Sequence, residues 1–402
     1  MRELFANRRY TLYLASRTAL IIATQMLSVA VGWQIYEITG DALALGLSGL
    51  ALFLPGFLLA LPGGHVADRY DRRKIIIMCH LGVAACASAL TAMSFAGVKS
   101  RAAIYAVLVG LGTIRAFSGP AGQALMPNLV PREQLERAVA LGSSNWQLAM
   151  IAGPSLGGVL YAATGHAYVV YACCAALALV AACTIVMIGE ITVKRSTEPP
   201  SWETLLAGIR YVWSNKPILG SISLDLFAVL LGGAVALLPI FARDILHIGP
   251  WGLGILRSAP AVGAASVALL VAAFPIKRHA GKAMFACVLL FGVATIVFGV
   301  SKSFTLSLAA LITLGAADMV SVVIRSTLIQ TRTPDEMRGR VAAVNMVFIG
   351  ASNELGEFES GLTAAWFGPM PAVVLGGIGT CVVVVVWSAL FPALRDVDRL
   401  DS

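Results

Sequence analysis

Three glutamates interrupt an apolar stretch near the C-terminus, where residues 351–361 read ASNELGEFESG. Glu354 and Glu357 lie three residues apart and share one face of a helix, whereas Glu359 points elsewhere. Two carboxyl groups on one face in a low-dielectric setting repel each other when both are ionised, so either is a candidate proton carrier. The same acids could instead bind a cationic part of a substrate, or pair with Arg257 or Arg325 and only hold the helix in place. These three interpretations stay open.

The elements that position these acids are predicted to be membrane-spanning helices. The 402 residues are 58% hydrophobic and only 12% charged, with a mean hydropathy of +0.84, which is far too apolar for soluble domains. Apolar segments of about 20 residues recur along the whole chain, and each is long enough to cross a bilayer as a helix. The sequence therefore predicts an all-α polytopic membrane protein with twelve transmembrane helices. The predicted spans are 10–36, 41–66, 75–97, 102–126, 138–163, 167–189, 217–242, 251–276, 283–301, 304–330, 341–366 and 370–392.

The distribution of basic residues predicts the orientation. MRELFANRRY precedes a span of ordinary length without a small-residue cleavage site, so we interpret it as the start of a retained helix. Most of the 29 Lys and Arg residues fall in segments that are cytoplasmic if the N-terminus is inside. Both termini are thus expected in the cytoplasm of a multi-pass protein, and the absence of an N-x-S/T acceptor suits a bacterial inner membrane. The net charge of +8 reflects this topology and contact with anionic lipid, not nucleic-acid binding.

The two halves of the chain repeat each other. Residues 126–141 align without a gap on residues 329–344, so that Pro131, Glu133 and Arg137 fall on Pro334, Glu336 and Arg340. Such a repeat predicts two pseudo-symmetric six-helix bundles, with a ligand site between them near the bilayer midplane. The predicted domains are an N-terminal bundle at 1–190, a cytoplasmic linker with a short amphipathic helix at 191–216, and a C-terminal bundle at 217–402.

Charged residues occupy repeat-related positions inside the spans. The register pairs Arg115 with Asp318, and superposing Asn7 on Asn215 pairs Arg17 with Asp225. Because a lone charge deep in a span costs several kcal/mol, we expect these four groups to line the central cavity as a charge-balanced ring. Fixed salt bridges between the halves are the alternative. Both aspartates also compete with Glu354 and Glu357 for the role of proton carrier.

Other polar residues have weaker assignments. Arg325 lies on a face similar to that of Asp318 but nearer the cytoplasm, and is a candidate gate residue. Three amide side chains are predicted to add hydrogen bonds in the cavity, or to join helices: Gln25, Asn145 and Asn345. Seven Cys and five His residues form no ligand pattern, so neither a metal site nor a cofactor is predicted.

The loop after the second span reads GGHVADRYDRRK and resembles the signature loop of the major facilitator superfamily. The matching residues are Gly64, Asp68, Arg69, Arg72 and Arg73. Asp71 stands where that family has glycine. The resemblance implies gating: the glycine permits close approach of a neighbouring helix, the aspartate accepts hydrogen bonds from a helix N-terminus, and the arginines latch the two halves.

The fifth span carries AMIAGPSLGG, which is similar to the antiporter motif of drug and proton exchangers in the same superfamily. Its matching residues are Gly153, Pro154, Gly157 and Gly158. Small residues at this spacing allow tight packing, and the proline bends the helix as a hinge. The repeat places this segment on residues 356–361, so the glutamates replace the hinge in the other half.

The resemblance covers essentially the whole chain and implies the major facilitator fold, most like the branch that holds siderophore and drug exporters. It implies a monomeric, proton-coupled antiporter that exports a small amphipathic molecule by alternating access. A ferroportin-like exporter of divalent metal and a non-transporting sensor on the same fold are alternatives. No G-x-x-x-x-G-K-[ST] loop is present to use ATP, and no nucleophile–base arrangement indicates an enzyme.

Overall fold

The computed structural model describes residues 4, 6–190, 202–274, 276 and 278–399. The described residues form helices and contain no strand. The main helices are α1 (Arg8–Thr39), α2 (Ala42–Leu58), α3 (Ala60–Arg69), α4 (Arg72–Phe95), α5 (Arg101–Leu125), α6 (Leu135–Thr164), α7 (Ala167–Met187), α8 (Trp202–Ser214), α9 (Lys216–Leu231), α10 (Gly249–Ala273), α11 (Ala280–Val300), α12 (Phe304–Arg332), α13 (Asp335–Phe367), α14 (Pro369–Leu390) and α15 (Pro392–Arg395).

A helix lies at each of the twelve predicted spans, so the prediction of an all-α membrane protein is confirmed. Within the described ranges, nine helical segments are long and apolar enough to cross a membrane, and the one that begins with α9 continues to Ile245. The helices α2, α6 and α13 lie outside that group: α2 has only 17 residues, and polar or charged residues interrupt the other two. The number twelve stays a prediction.

The N-caps of two helices lie at equivalent positions of the sequence repeat. Asn7 caps α1 by accepting hydrogen bonds from the backbone N–H groups of Arg9 and Tyr10, and Asn215 caps α9 through the N–H of Ile218. The repeat aligned Asn7 on Asn215, so equivalent residues start the first helix of each half. The left-handed Gly40, at φ 60°, ends α1.

The chain divides into two compact units. Unit 1 consists of Met1–Gly40, Ala51–Pro200 and Gly249–Ser258, and unit 2 of Asp41–Leu50, Ser201–Ile248 and Ala259–Ser402. The predicted domains were continuous, whereas these units exchange two ten-residue segments, 41–50 and 249–258. Both segments begin helices whose remaining residues belong to the other unit. The boundaries predicted at 190 and 217 stay a prediction, and residues 191–201 of the predicted linker lie outside the described residues.

The core of unit 2 holds α9, α11, α12 and α14 together. Its buried members include Leu224, Met284, Ile324, Leu328 and Val384. Close approach depends on small residues: a Cβ added at Gly292 of α11 would lie 3.0 Å from the carbonyl oxygen of Gly377 on α14. This tightly packed core fixes the neighbouring helices that carry the charged residues described next.

Candidate functional site

A buried ion pair lies in unit 2. Arg325 of α12 contacts Asp225 of α9 through Nη1 and Oδ2, and their side chains are only 2% and 8% exposed. Neither charge could be buried alone at low cost, because each would lose its hydration without a partner. The pair therefore fixes α9 against α12 at a defined register.

Asp318 brings a second carboxyl group to this pair. It lies seven residues before Arg325 on α12, about two helical turns, and so occupies the same face. Asp225, Asp318 and Ser321 line one small cavity whose free space is about that of one water molecule. The buried Oγ of Ser321 has no hydrogen-bond partner among the described residues. The site thus combines two carboxyl groups, one guanidinium and space for water.

The charge of this cluster gives it acid–base chemistry. Arg325 can neutralise one of the two carboxylates, so with both ionised the cluster carries a net negative charge in a poorly solvated place. Binding one proton makes the cluster neutral, and losing it restores the negative charge. Such a cluster can take up and release a proton when access to water changes.

The ion pair inside unit 2 was not part of the sequence prediction. The repeat register related Arg17 to Asp225 and Arg115 to Asp318 as equivalent positions of the two halves, and Arg325 was expected nearer the cytoplasm as a gate residue. In the structure Asp225 pairs with Arg325. The seven-residue spacing of Asp318 and Arg325 indicated their shared helix face, but no local pattern indicated Asp225 as the partner of Arg325. The ring of four charges and the gating role stay predictions.

In unit 1, three of the predicted cavity residues lie at the contact between α1 and α6, each with a different partner on the facing helix. The guanidinium of Arg17 lies 5.6 Å from the centre of the Trp146 ring. The Thr18 hydroxyl is 2.9 Å from Oδ1 of Asn145, and Nε2 of Gln25 donates to the Met150 sulfur at 2.7 Å.

Two further cavity candidates lie elsewhere. Arg115 is on α5 with an exposed side chain. Asn345 is half-buried on α13, and within the part of the chain that the structure describes its Oδ1 has no hydrogen-bond partner.

The glutamates of α13 lie along its contact with the first part of α2, within unit 2. A Cβ added at Gly49 would lie 2.9 Å from Oε2 of Glu357, so the side chain of Glu357 packs directly on that glycine. Glu354 lies one turn earlier, and Glu359 accepts a hydrogen bond of 2.6 Å from the Thr363 hydroxyl. Glu357 is therefore a packed interface residue, and its role in proton transfer stays a prediction.

The close contact between α2 and α13 requires a glycine at position 361, which a substitution can test. A Cβ at Gly361 would lie 2.7 Å from the Cα of Gly46, whereas a Cβ at Gly350 of the same helix would meet nothing within 4 Å. We expect Gly361→Ala to reduce stability by about 1–3 kcal/mol through overpacking. The matched change Gly350→Ala should leave it unchanged or raise it by up to about 1 kcal/mol. Thermal unfolding in detergent compares the two, and equal midpoints would contradict the contact.

The loop motif lies in α3 and at the start of α4, and it makes contacts within unit 1. Arg72 donates to the carbonyl oxygens of Ala67 and Ala124 at 3.2 and 3.0 Å. Arg73 donates to those of Ile185 and Val186 at 3.1 and 2.7 Å. Both arginines thus cap carbonyl groups at helix ends.

One assignment in this motif is corrected. A Cβ at Gly64 would meet nothing within 4 Å, whereas one at Gly63 would clash with the backbone of Ala116 on α5. The close approach that sequence analysis gave to Gly64 belongs to Gly63. Asp68 is half-buried and Arg69 is exposed. The gating roles of the motif residues stay predictions.

The glycines of α6 do provide tight packing. A Cβ at Gly153 would lie 2.5 Å from Cβ of Gln25, and one at Gly157 would lie 2.9 Å from Cα of Met26, both on α1. A Cβ at Gly158 would likewise lie 2.8 Å from the Cα of Gly254, in the part of α10 that belongs to unit 1. Pro154 lies inside α6. The hinge role of this segment stays a prediction.

Comparisons with known proteins identify the family. The family model described as transmembrane secretion effector matches residues 5–402. The chain is 28% identical over 391 residues to the enterobactin exporter EntS of Citrobacter koseri, covering 93% of this chain and 90% of that protein. It is 27% identical over 386 residues to the protein of the same name from Escherichia coli O1:K1 / APEC, with the same coverage.

Solved structures show the same fold at low identity. The nucleoside transporter NupG matches with a TM-score of 0.73 at 14% identity, over 96% of this chain and 99% of NupG. A bacterial homologue of the iron transporter ferroportin matches with a TM-score of 0.71 at 14% identity, over 97% and 99%. The major facilitator fold is thereby confirmed, and the protein is a transporter and not an enzyme. The chain belongs to the transmembrane secretion effector family of the major facilitator superfamily.

Proposed function

We propose that this protein is a proton-coupled secondary exporter, which moves a small amphipathic molecule of the siderophore or drug class out of the cytoplasm by alternating access. Membership of a secretion effector family supports transport, and the similarity to enterobactin exporters supports export and a siderophore-like substrate. The proposal includes a monomer in a bacterial inner membrane with both termini in the cytoplasm.

The observation that carries the proton coupling is the cluster of Asp225, Asp318 and Arg325, whose two carboxyl groups line a water-sized cavity. Arg325 holds Asp225 as the ionised partner, and Asp318 is the carboxyl group that gains and loses the proton. Protonation makes the cluster neutral and favours one conformation, while deprotonation favours substrate binding in the other. A transporter of this kind links the two fluxes because neither event completes the cycle alone. Glu354 and Glu357 are the alternative carriers.

Export of a divalent metal is the second candidate function. The fold is shared with a ferroportin homologue, which by itself shows only the architecture. In the part of the chain that the structure describes, no group of three or more His, Cys, Asp or Glu side chains could hold a metal ion. Arg325 inside the acidic cluster would also repel a cation. An organic substrate fits these residues better.

Uptake into proteoliposomes with an imposed pH gradient, acidic inside, tests the proposal. Enterobactin, a cationic drug and ferrous ion are offered in turn, with protein-free liposomes as the control. We expect enterobactin or the drug to accumulate above its external concentration, and a protonophore to abolish this accumulation. Accumulation of ferrous ion alone would overturn the proposal in favour of a metal exporter. No accumulation of any compound would favour a sensor.

A further inference from the structure

The hydroxyl of Ser321 has an unusual setting for a polar group on a membrane-spanning helix. Three threonines of the same helix, Thr313, Thr327 and Thr331, each donate to the carbonyl oxygen four residues earlier, at 2.8 to 2.9 Å. Ser321 is only 2% exposed, yet its Oγ has no such bond and no other partner among the described side chains and backbone groups. Because a buried hydroxyl without a hydrogen bond costs free energy, Ser321 requires a partner from outside the chain.

The cavity beside Ser321 supplies the space and the polar surroundings for that partner. Its free space is about that of one water molecule, and Ser321 lines it together with Asp225 and Asp318. The remaining lining residues are apolar: Ala228, Val229, Val288, Phe291 and Ala317. A buried water molecule typically has about three polar partners, and this cavity brings three polar side chains together.

The donors and acceptors of these side chains balance around one water molecule. With both carboxyl groups ionised, the water donates one hydrogen to each carboxylate, and its oxygen accepts the hydrogen of the Ser321 hydroxyl. Arg325 contacts Oδ2 of Asp225, and a carboxylate has lone pairs left for a further donor. After Asp318 gains a proton, its O–H donates to the water oxygen, and the water donates to Asp225 and to Ser321. The hydroxyl serves both states because it can both donate and accept.

We infer that the cavity binds one water molecule between Asp225 and Asp318, and that Ser321 is the residue that positions it. The water bridges two carboxyl groups that otherwise repel each other, so it stabilises the ionised form of Asp318 through charge-assisted hydrogen bonds. Arg325 is the other charged group of the cluster, and the residues of α11 that line the cavity are apolar. This inference rests on the proposed function in that Asp318 is the carboxyl group that binds the proton.

Thermal unfolding in detergent tests whether the hydroxyl has a partner. Ser352→Ala is the matched control, since Ser352 is 1% exposed and donates to the Ile349 carbonyl of its own helix at 3.0 Å. Both changes gain the same helix propensity and remove one buried hydroxyl. If Ser321 is bonded to a water molecule, Ser321→Ala should have an unfolding midpoint no higher than that of Ser352→Ala. A higher midpoint in Ser321→Ala would overturn the inference, because removal of an unpartnered hydroxyl is stabilising.

Infrared difference spectroscopy of the protein in lipid films detects the water directly. Spectra in acidic and alkaline buffer are subtracted, and the experiment is repeated in heavy-oxygen water to identify the bands of water. We expect wild type and Ser352→Ala to show a water O–H stretching band that shifts with the isotope, because the hydrogen bonds of the bound water change when Asp318 is protonated. Ser321→Ala should lose or displace this band, and so should Ser321→Cys, whose thiol is a weak donor of similar shape. No isotope-sensitive band in wild type, or an unchanged band in Ser321→Ala, would overturn the inference.

The same spectra measure the effect of Ser321 on Asp318. The protonated carboxyl group gives a C=O stretching band that Asp318→Asn removes, and the intensity of this band is followed against the buffer pH. We expect its midpoint to lie about one pH unit higher in Ser321→Ala than in wild type, because the ionised form loses charge-assisted hydrogen bonds. An unchanged midpoint would overturn the positioning role, since a serine that only packs would not affect the titration.

These measurements need neither substrate nor transport, so they are independent of the exporter proposal. Failure of the uptake experiment would leave the water site standing, and loss of the water site would leave the uptake prediction standing. Spectra without a carboxyl band that Asp318→Asn removes would contradict Asp318 as the proton carrier. The unfolding comparison of Ser321→Ala with Ser352→Ala would then decide on the water alone.

Discussion

Asp318→Asn should reduce concentrative uptake into proteoliposomes to the passive level, while exchange of labelled for unlabelled substrate continues. Asparagine has the shape of the protonated acid but cannot release a proton, so the cluster with Asp225 and Arg325 stays permanently in its neutral form. A carrier fixed in this protonated-like form binds substrate more weakly than the deprotonated form does, but it still binds substrate and changes conformation, so exchange continues at high substrate concentration. Such a carrier cannot use the proton gradient to drive accumulation of the substrate.

Two matched variants make this expectation specific. Asp318→Glu keeps an ionisable group at the cavity and should retain part of the concentrative uptake. Glu357→Gln alters a carboxyl group that packs on Gly49, and should retain coupling if Asp318 is the carrier. The opposite pattern, with coupling lost in Glu357→Gln and kept in Asp318→Asn, would identify Glu357 of α13 as the proton carrier.

The second large effect concerns the stability of unit 2. Arg325→Gln should destabilise the protein by about 3–5 kcal/mol, because it leaves the buried Asp225 carboxylate without its partner and next to Asp318. Asp225→Asn should cost less, because the Asp318 carboxylate remains to balance the guanidinium. The double variant Asp225→Asn/Arg325→Gln removes both charges and should recover most of the loss. Thermal and denaturant unfolding in detergent provide the measurement.

The double variant also separates stability from function. We expect it to fold and yet to lose proton-coupled uptake, because Asp318 is left without the Asp225–Arg325 ion pair that completes the cluster. Lys74→Gln, at an exposed position of α4, is the control and should change stability by less than about 0.5 kcal/mol. Additive losses in the double variant would show that the two side chains do not depend on each other.

The sequence was sufficient for features that depend on local pattern. Hydropathy and length located a helix at every predicted span, since a bilayer requires about 20 apolar residues in a helix whose backbone groups are satisfied internally. The repeat aligned Asn7 on Asn215, and both proved to be N-caps. Glycine spacing in the fifth span predicted close packing, which Gly153 and Gly157 provide against α1.

Features that depend on which helices touch were beyond the sequence. Repeat symmetry suggested partners for Asp225 and Asp318 in the other half, but symmetry relates positions and does not measure distances. The pair Asp225–Arg325 follows from the packing of α9 beside α12, which no local pattern encodes.

The sequence also could not show which of Gly63 and Gly64 makes the close helix contact. Adjacent helical residues point about 100° apart, so only the position of α5 decides which glycine meets Ala116. The contact of Trp146 with Arg17 was not predicted either, because it depends on how α6 packs against α1.

The pH change that the substrate causes inside proteoliposomes tests whether Asp318 carries the transported proton. Liposomes that contain wild type and a trapped pH indicator are prepared with an acidic lumen, and the transported substrate is then added outside. We expect the lumen to become more alkaline as substrate enters, and liposomes with Asp318→Asn to show no substrate-dependent change although they still exchange labelled substrate. Equal proton release by Asp318→Asn and wild type would contradict the assignment of the proton to the Asp225–Asp318–Arg325 cluster.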